Sequence, residues 1–280
     1  MAISIAHLGP VGTYTETAAL AYGSLITKKQ GEAYGLCPCS SIAATLRSVA
    51  EGNTDLAVVP VENSIEGSVA ITLDTLWELE NLQIQQALVL PIAHVLLSQA
   101  SSLKEVQIVY SHPQAIGQCQ KWREQFLPNV QLIPTNSTTE ALEHLKVELK
   151  SAAIASLRAS QLYNLPVLAV NLNDYPDNCT RFWVLGLKKA TSGSHISLAF
   201  SVPANVPGSL VKPLQVFAQR GINLSRIESR PTKRSLGDYL FFIDLEACYQ
   251  DSSTQAALAE LETHTALLKI FGNYNILPIP

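Results

Sequence analysis

No apolar stretch in this chain reaches the ~18 residues expected of a membrane-spanning helix; the longest, Ala87 to Leu97, is broken by Pro91 and His94. A membrane role is not expected. The segment Met1 to Leu8 enters an apolar alternation without a basic start, a long apolar centre or a small-residue cleavage pattern, so secretion is not encoded and a cytoplasmic location follows. Basic runs are missing too: the net charge is −4, the pI is near 5.9, and no Lys/Arg cluster resembles a nucleic-acid-binding tail. The five cysteines, Cys37, Cys39, Cys119, Cys179 and Cys248, form no C-x-x-C pair, and the six histidines show no H-x-x-x-H spacing. Cys37 and Cys39 merely flank a proline. No metal site is expected, and the odd cysteine number fits reduced thiols.

What is present is material for packed cores. At 280 residues, 47% of them hydrophobic, the chain should form about two domains. Up to about residue 190, short apolar runs bounded by polar residues alternate with helical periods. Ile3 to Leu8, Asp55 to Val61, Val106 to Tyr110, Ala152 to Ala155 and Val167 to Leu172 read as buried strands. A helix from about Ser41 to Glu51 carries Ile42, Leu46, Val49 and Ala50 on one face. Another opens at Ser137 with Glu140 completing a capping box, and a third opens at Pro113, which needs no N–H donor in a first turn. This order predicts an α/β layer fold with mostly parallel strands.

Between Lys188 and Ser194 the composition turns to Lys, Ala, Thr, Ser and Gly, which reads as a linker. Beyond it come strand (His195 to Val202), helix (Pro207 to Gln219), strands (Ile222 to Arg230 and Tyr239 to Ala247), helix (Thr254 to Thr263) and strand (Leu267 to Ile276). That βαββαβ order is the ferredoxin-like motif, whose helices cover one sheet face and leave the other for a partner domain.

Four segments carry ligand-facing chemistry. Gly9-Pro10-Val11-Gly12-Thr13-Tyr14 is a glycine-containing turn feeding a helix start, where free amides and the helix dipole suit a carboxylate or phosphate; without G-x-G-x-x-G spacing it is no dinucleotide fingerprint, and it reads equally as a plain turn. Pro60-Val61-Glu62-Asn63-Ser64-Ile65-Glu66-Gly67 takes a strand into polar residues at its carboxyl end, where open α/β sheets collect ligands. Asn63 and Ser64 can donate and accept, and Glu62 can orient a neighbour or exchange a proton; an ordinary strand exit is the alternative. Ser111-His112-Pro113-Gln114 through Gln118-Cys119 repeats the design, with Gln114 and Gln118 on one helix face. Finally, Thr180-Arg181-Phe182 follows a polar loop. There a hydroxyl stands beside a guanidinium that can grip an anion, or that simply begins a strand in solvent.

Together, G-P-x-G-T-Y, P-x-E-N-S-x-x-G, S-H-P-Q-A-x-x-Q-C and T-R-F, in this order across essentially the whole chain, resemble the prephenate dehydratase family. The resemblance implies a two-lobed catalytic domain of the periplasmic-binding-protein type over residues 1–190 and an ACT regulatory domain over 195–280. It implies conversion of prephenate to phenylpyruvate without cofactor or metal, in a homodimer or homotetramer. Thr180 would help the hydroxyl leave, with Glu62 as proton source. Arg181 would hold one carboxylate, and Gly12 and Thr13 the other. Asn63, Ser64, Ser111, Gln118 and Phe182 would complete the substrate site. Phenylalanine would bind as feedback inhibitor at Pro207, Gly208, Ser209, Leu210 and Val211 together with Asn223, Leu224, Glu228, Ser229, Arg230 and Pro231; Ser209 stands where the family more often has alanine. Arogenate in place of prephenate, or a non-catalytic aromatic-acid or amino-acid sensor, are the alternatives. No mutase-like helical segment precedes Met1, so a fused chorismate mutase is not expected.

Overall fold

The computed structural model of the protein describes residues 2–279. Three sheets organise them. The first is a mixed seven-stranded sheet running Ile276–Pro278, Gln83–Pro91, Cys179–Gly186, Leu56–Asn63, Ile3–Leu8, Tyr34–Cys39, with Gly67–Ser68 folded back on Leu56–Asn63. The second has five strands in the order Val167–Ala169, His94–Ser98, Ser151–Ser156, Ile108–Ser111, Gln131–Pro134. These sheets are the cores of two lobes. The chain crosses between them twice, from Pro91 to His94 and back from Ala169 to Cys179, and the crossings are stitched together: Asn173 accepts from the His94 amide at 2.7 Å and donates to the Ile92 carbonyl at 2.9 Å.

Parallel pairing holds for Ile3–Leu8 with both of its neighbours, but Cys179–Gly186 is antiparallel to the two strands flanking it. The expectation of a mostly parallel layer is corrected there, because this strand returns from the second lobe and is not the product of a local strand-helix-strand crossover. The long apolar run Ala87 to Leu97 resolves into strands of different lobes, broken at Pro91 where the sheet ends.

Helix starts follow local chemistry. Thr13 caps Tyr14–Gln30, its Oγ1 accepting from the Glu16 amide at 3.2 Å, and Ser41 caps Ile42–Ala50 through the Ala44 amide at 3.1 Å. Ser137 accepts from the Glu140 amide at 3.0 Å, but the Glu140 carboxylate reaches the amide of Asn136 rather than that of Ser137. Regular helix is confined to Ala141–His144.

The third sheet, in the order Asn223–Pro231, Tyr239–Glu246, His195–Ser201, Leu267–Tyr274, is the expected βαββαβ unit. Period-two alternation sends Ile196, Leu198, Phe200, Ile243 and Leu245 to its helices, where they pack with Val216, Phe217 and Leu261. The intervening Ala199, Leu240 and Phe242 join Phe271, Trp183, Leu46 and Val49 in a core shared with the first lobe. At this seam Gly272 has φ +139°, and a Cβ there would sit 2.8 Å from the Ile84 carbonyl oxygen, so only glycine permits the approach. The expected strand Leu267 to Ile276 ends at Tyr274; Ile276–Pro278 leaves the unit and pairs in parallel with Gln83–Pro91.

Candidate functional site

A cavity of about 1000 Å³ opens between the two lobes. The first lobe contributes Thr13, Tyr14, Asn63, Thr180, Phe182 and the start of helix Ala70–Glu78; the second contributes His112, Gln114, Gln118, Ser137 and Thr138. His94, at the crossing, joins them. Of the expected site residues, Thr13, Asn63, Gln118, Thr180 and Phe182 therefore share one wall or another of the cleft.

A chain of amides connects them. The Asn63 carbonyl accepts from the amides of Ile65 and Glu66 at 3.0 and 3.1 Å, which orients the side chain so that Nδ2 donates to Thr180 Oγ1 at 2.9 Å and Asn178 Oδ1 at 2.8 Å. Asn178 in turn donates to Gln118 Oε1 at 2.9 Å, and His94 Nε2 lies 3.0 Å from the same oxygen. Each orientation is inherited from the backbone at Ile65 and Glu66. His94 must therefore donate from Nε2, while its Nδ1 faces the Tyr14 hydroxyl at 3.1 Å. Burial pushes the His94 pKa down against the opposing bond to Gln118, and burial likewise lowers that of His112 against the pull of Glu66. The Thr180 oxygen thus receives a hydrogen and keeps its own to give.

Strand geometry separates Thr180 from its sequence partners. Thr180 and Phe182 face the cavity; Arg181 and Trp183 face the opposite side, toward the third sheet. Alternation along Leu56–Asn63 would set Glu62 with cavity-lining Pro60, but the register with Cys179–Gly186 shifts between Arg181 and Phe182. This bulge pairs Asn63 with Thr180 and Glu62 with Arg181. Arg181 Nη1 lies 3.5 Å from Glu62 and 3.3 Å from Asp244, whose side chain is 1% exposed. The expectations that Arg181 anchors a substrate carboxylate and that Glu62 feeds a proton to Thr180 are corrected by this placement: both point through the back of the sheet.

Three further expectations are redirected. The Gly12 amide, set at φ +93°, donates to the Glu16 carboxylate at 2.8 Å, so this turn amide is already taken by an anion of the protein itself. Glu16 also pairs with Arg158 of the second lobe at 3.0 Å, and Ser156 donates to the Gly12 carbonyl at 3.0 Å, so this turn fastens the lobes together. The Thr13 hydroxyl is spent on the Leu8 carbonyl at 3.1 Å. Ser111, fully buried, donates to the Ile154 carbonyl at 2.7 Å within its own sheet. Ser64, exposed, accepts from the Cys179 amide at 3.0 Å and braces the loop before Thr180.

His94, Asn178, Tyr14 and Glu66 were missed as site residues. Glu66 accepts from Gln118 Nε2 at 3.4 Å and lines the cleft, as does Glu140 of the second lobe. Tyr14 closes the G-P-x-G-T-Y turn, and Asn178 lies two residues before Thr180. His94 carried only the signal of interrupting an apolar run.

In the third sheet, Asn223–Pro231 is an edge strand. Glu228 accepts from Ser68 at 3.2 Å, and Arg230 makes a two-pronged contact with Asp74 at 2.9 and 3.0 Å, so both turn toward the first lobe. Asn223, Ser229 and Pro231 are exposed, and Leu224 is half-buried. Pro207 and Gly208 form an exposed turn, Ser209 and Leu210 are half-buried, and the helix begins at Val211, not at Pro207. Among the described residues no cluster of three or more His, Cys, Asp or Glu is arranged to hold a metal ion, and no helix is long and apolar enough to cross a membrane.

A sequence profile described as prephenate dehydratase matches residues 5–190, and one described as an ACT domain matches residues 196–263. A bifunctional chorismate mutase/prephenate dehydratase of Aquifex aeolicus is 41% identical over 274 residues, covering 97% of this chain and 73% of that one. A prephenate dehydratase of Lactococcus lactis is 36% identical, covering 98% of both chains. The crystal structure of a prephenate dehydratase from Arthrobacter aurescens in complex with L-Phe superposes with a TM-score of 0.87 at 33% identity, covering 98% of this chain and 90% of that one.

Proposed function

Because the chain belongs to the prephenate dehydratase family, we propose that the cleft between its lobes converts prephenate to phenylpyruvate, with residues 1–190 as catalytic domain and 195–280 as ACT regulatory domain. The substrate loses carbon dioxide and a ring hydroxyl, and the gain of aromaticity drives the reaction without a cofactor. The difficult event is the departure of hydroxide, which is eased by a hydrogen bond donated as it leaves.

One observation carries the assignment. Asn63 donates to Thr180 Oγ1, so the Thr180 hydrogen is free to point at the departing oxygen. The Ile65 and Glu66 amides hold Asn63 in that orientation and Asn178 and Gln118 continue the chain, and Phe182 gives the substrate ring an apolar wall. Ser137 and Thr138 face these residues from the second lobe as donors for a carboxylate. Glu66, which accepts from Gln118 within the cleft, takes the place of Glu62 as the carboxylate beside this network.

The L-Phe bound by the Arthrobacter protein supports phenylalanine as effector. We assign its site to the turn at Pro207, Gly208 and Ser209, followed by Leu210 and Val211, together with Asn223, Leu224, Ser229 and Pro231 of the edge strand, whose Glu228 and Arg230 are instead engaged by the first lobe. The unpaired edge of that strand supports side-by-side pairing of two copies, as a homodimer or a pair of such dimers. A soluble, cytoplasmic setting follows from the biosynthetic role. The decisive experiment compares turnover of prephenate and arogenate with and without phenylalanine. Phenylpyruvate from prephenate, suppressed by phenylalanine, is the expected result; absence of any aromatic product from either substrate sinks the catalytic reading.

A further inference from the structure

The geometry points to Asp244, in the C-terminal unit, as a positioning residue for the reaction, acting on Thr180 through Arg181. The inference rests on Thr180 working in the cleft. Asp244 is held by its own domain: Arg226 Nε donates to it at 2.8 Å and Nη2 at 3.4 Å, and Ser197 donates to its other side while sharing a 2.6 Å bond with the Tyr274 hydroxyl. Its side chain is 1% exposed. It is therefore a fixed charge on the face of the third sheet that packs against the first lobe.

Arg181 is the first-lobe group that meets this charge. It reaches Asp244 and Glu62 through Nη1 alone, at 3.3 and 3.5 Å, and its buried Nε has no partner. A contact this long and one-sided is sensitive to small displacements of either sheet. Arg181 shares a peptide unit with Thr180, so its anchoring bears on the side of the strand that presents the hydroxyl to the cavity. A second attachment runs in parallel. Arg226 and Glu228 contact Ser68 at 3.5 and 3.2 Å, and Arg230 clamps Asp74 on the helix Ala70–Glu78, whose first residues line the cavity. A shift of the C-terminal sheet is thus delivered to two walls of the cleft. This gives the second domain a route to turnover that does not pass through substrate contacts, and it gives the arginine of the T-R-F motif a reason to point away from the substrate.

The test is a double-mutant cycle in the full-length protein, with kcat and KM for prephenate measured for Arg181→Met, Asp244→Asn and the pair. A misplacement well below an ångström predicts a fall in kcat of about tenfold in each single variant, with KM within about twofold. The double variant should be no worse than the poorer single one, because both remove the same link. Arg181→Met that raises KM and spares kcat overturns the inference in favour of a substrate anchor, and so does a folded Asp244→Asn with unchanged kcat. Should Asp244→Asn fail to fold, Ser197→Ala removes one donor without stranding a charge. It should lower kcat in the same direction by less, and an unchanged kcat there equally overturns the inference. Thr180→Ala is measured alongside: if it retains turnover, the catalytic reading has failed rather than the link to Asp244.

Discussion

The two faces of the first-lobe sheet are built from the same motifs and do opposite work. On the cleft face, Thr180, Asn63 and Asn178 form, with Gln118 of the second lobe, an uncharged network of amides and a hydroxyl whose polarity is dictated by two backbone amides. On the rear face, Arg181, Glu62, Asp244 and Arg226 form a charged cluster beside Trp183, over which the Arg226 guanidinium lies at 5.5 Å. Neutral donors suit a site that must release its product, since they orient groups without gripping them as a buried ion pair does. Charges suit the seam, where leaving one partner bare is strongly unfavourable and the docked arrangement is therefore well specified.

Variants on the two faces therefore fail in different ways. The largest effect is expected for Trp183→Ala on the rear face: the side chain is fully buried, and its loss should cost about 3–5 kcal/mol of stability. Denaturant melts that show less than half of this would mean that the seam is looser than its packing indicates. Thr180→Ala on the cleft face should lower kcat by about 100-fold, equivalent to about 2.7 kcal/mol, while the melting temperature barely moves; near-normal turnover in the purified variant would remove Thr180 from the chemistry. Gly272→Ala meets the Ile84 carbonyl at 2.8 Å in a backbone conformation that side chains avoid, and a stability loss of about 1–3 kcal/mol is expected. Calorimetry that finds it neutral would show that the domains can separate slightly without cost.

The smallest effect concerns pH. Burial pushes the Asp74 carboxyl up, but the hydrogen bonds from Arg230 and Lys233 outweigh it and hold the group below its ordinary value. A carboxylate whose folded pKa lies below its unfolded value near 3.9 adds stability that is present above that value and lost as pH falls through the folded one. With partly exposed partners, the contribution should stay within about 1 kcal/mol. Asp74→Asn should therefore flatten the dependence of the melting temperature on pH below about pH 4, and an unaltered slope would assign that dependence to other groups.

Much of the cleft was legible because its residues sit in short motifs at strand ends. Asn63, Gln118, Thr180 and Phe182 were named from such segments, and each lines the cavity. Arg181 and Glu62 were named on the same footing and proved to face the other way. The difference lies in a single irregularity: without the register shift beside Phe182, alternation would have turned Glu62 toward the cleft and Asn63 away from it. His94 was illegible for another reason. Its partners, Tyr14 and Gln118, lie 80 and 24 residues away, and nothing local marks it. Gly12 shows the converse, since its free amide was a fair expectation until Glu16, one helical turn on, folded back to fill it.

By itself, the sequence determined the family, the helix starts at Ser41 and Pro113, and the segments that meet at the cleft. Each of these depends on short-range chemistry: a hydroxyl beside an amide, a proline in a first turn, apolar residues at one spacing or another. Only the tertiary structure decided which side of the sheet each polar residue occupies and that Ile276–Pro278 completes the first lobe from the far end of the chain. It also decided that the guanidinium beside Thr180 belongs to the seam between domains. The physical reason is that side chains alternate with a period of two along a strand, so one extra residue in a bulge reverses every face beyond it. Whether that residue is accommodated depends on strands that are distant in sequence and become partners only when the chain has folded.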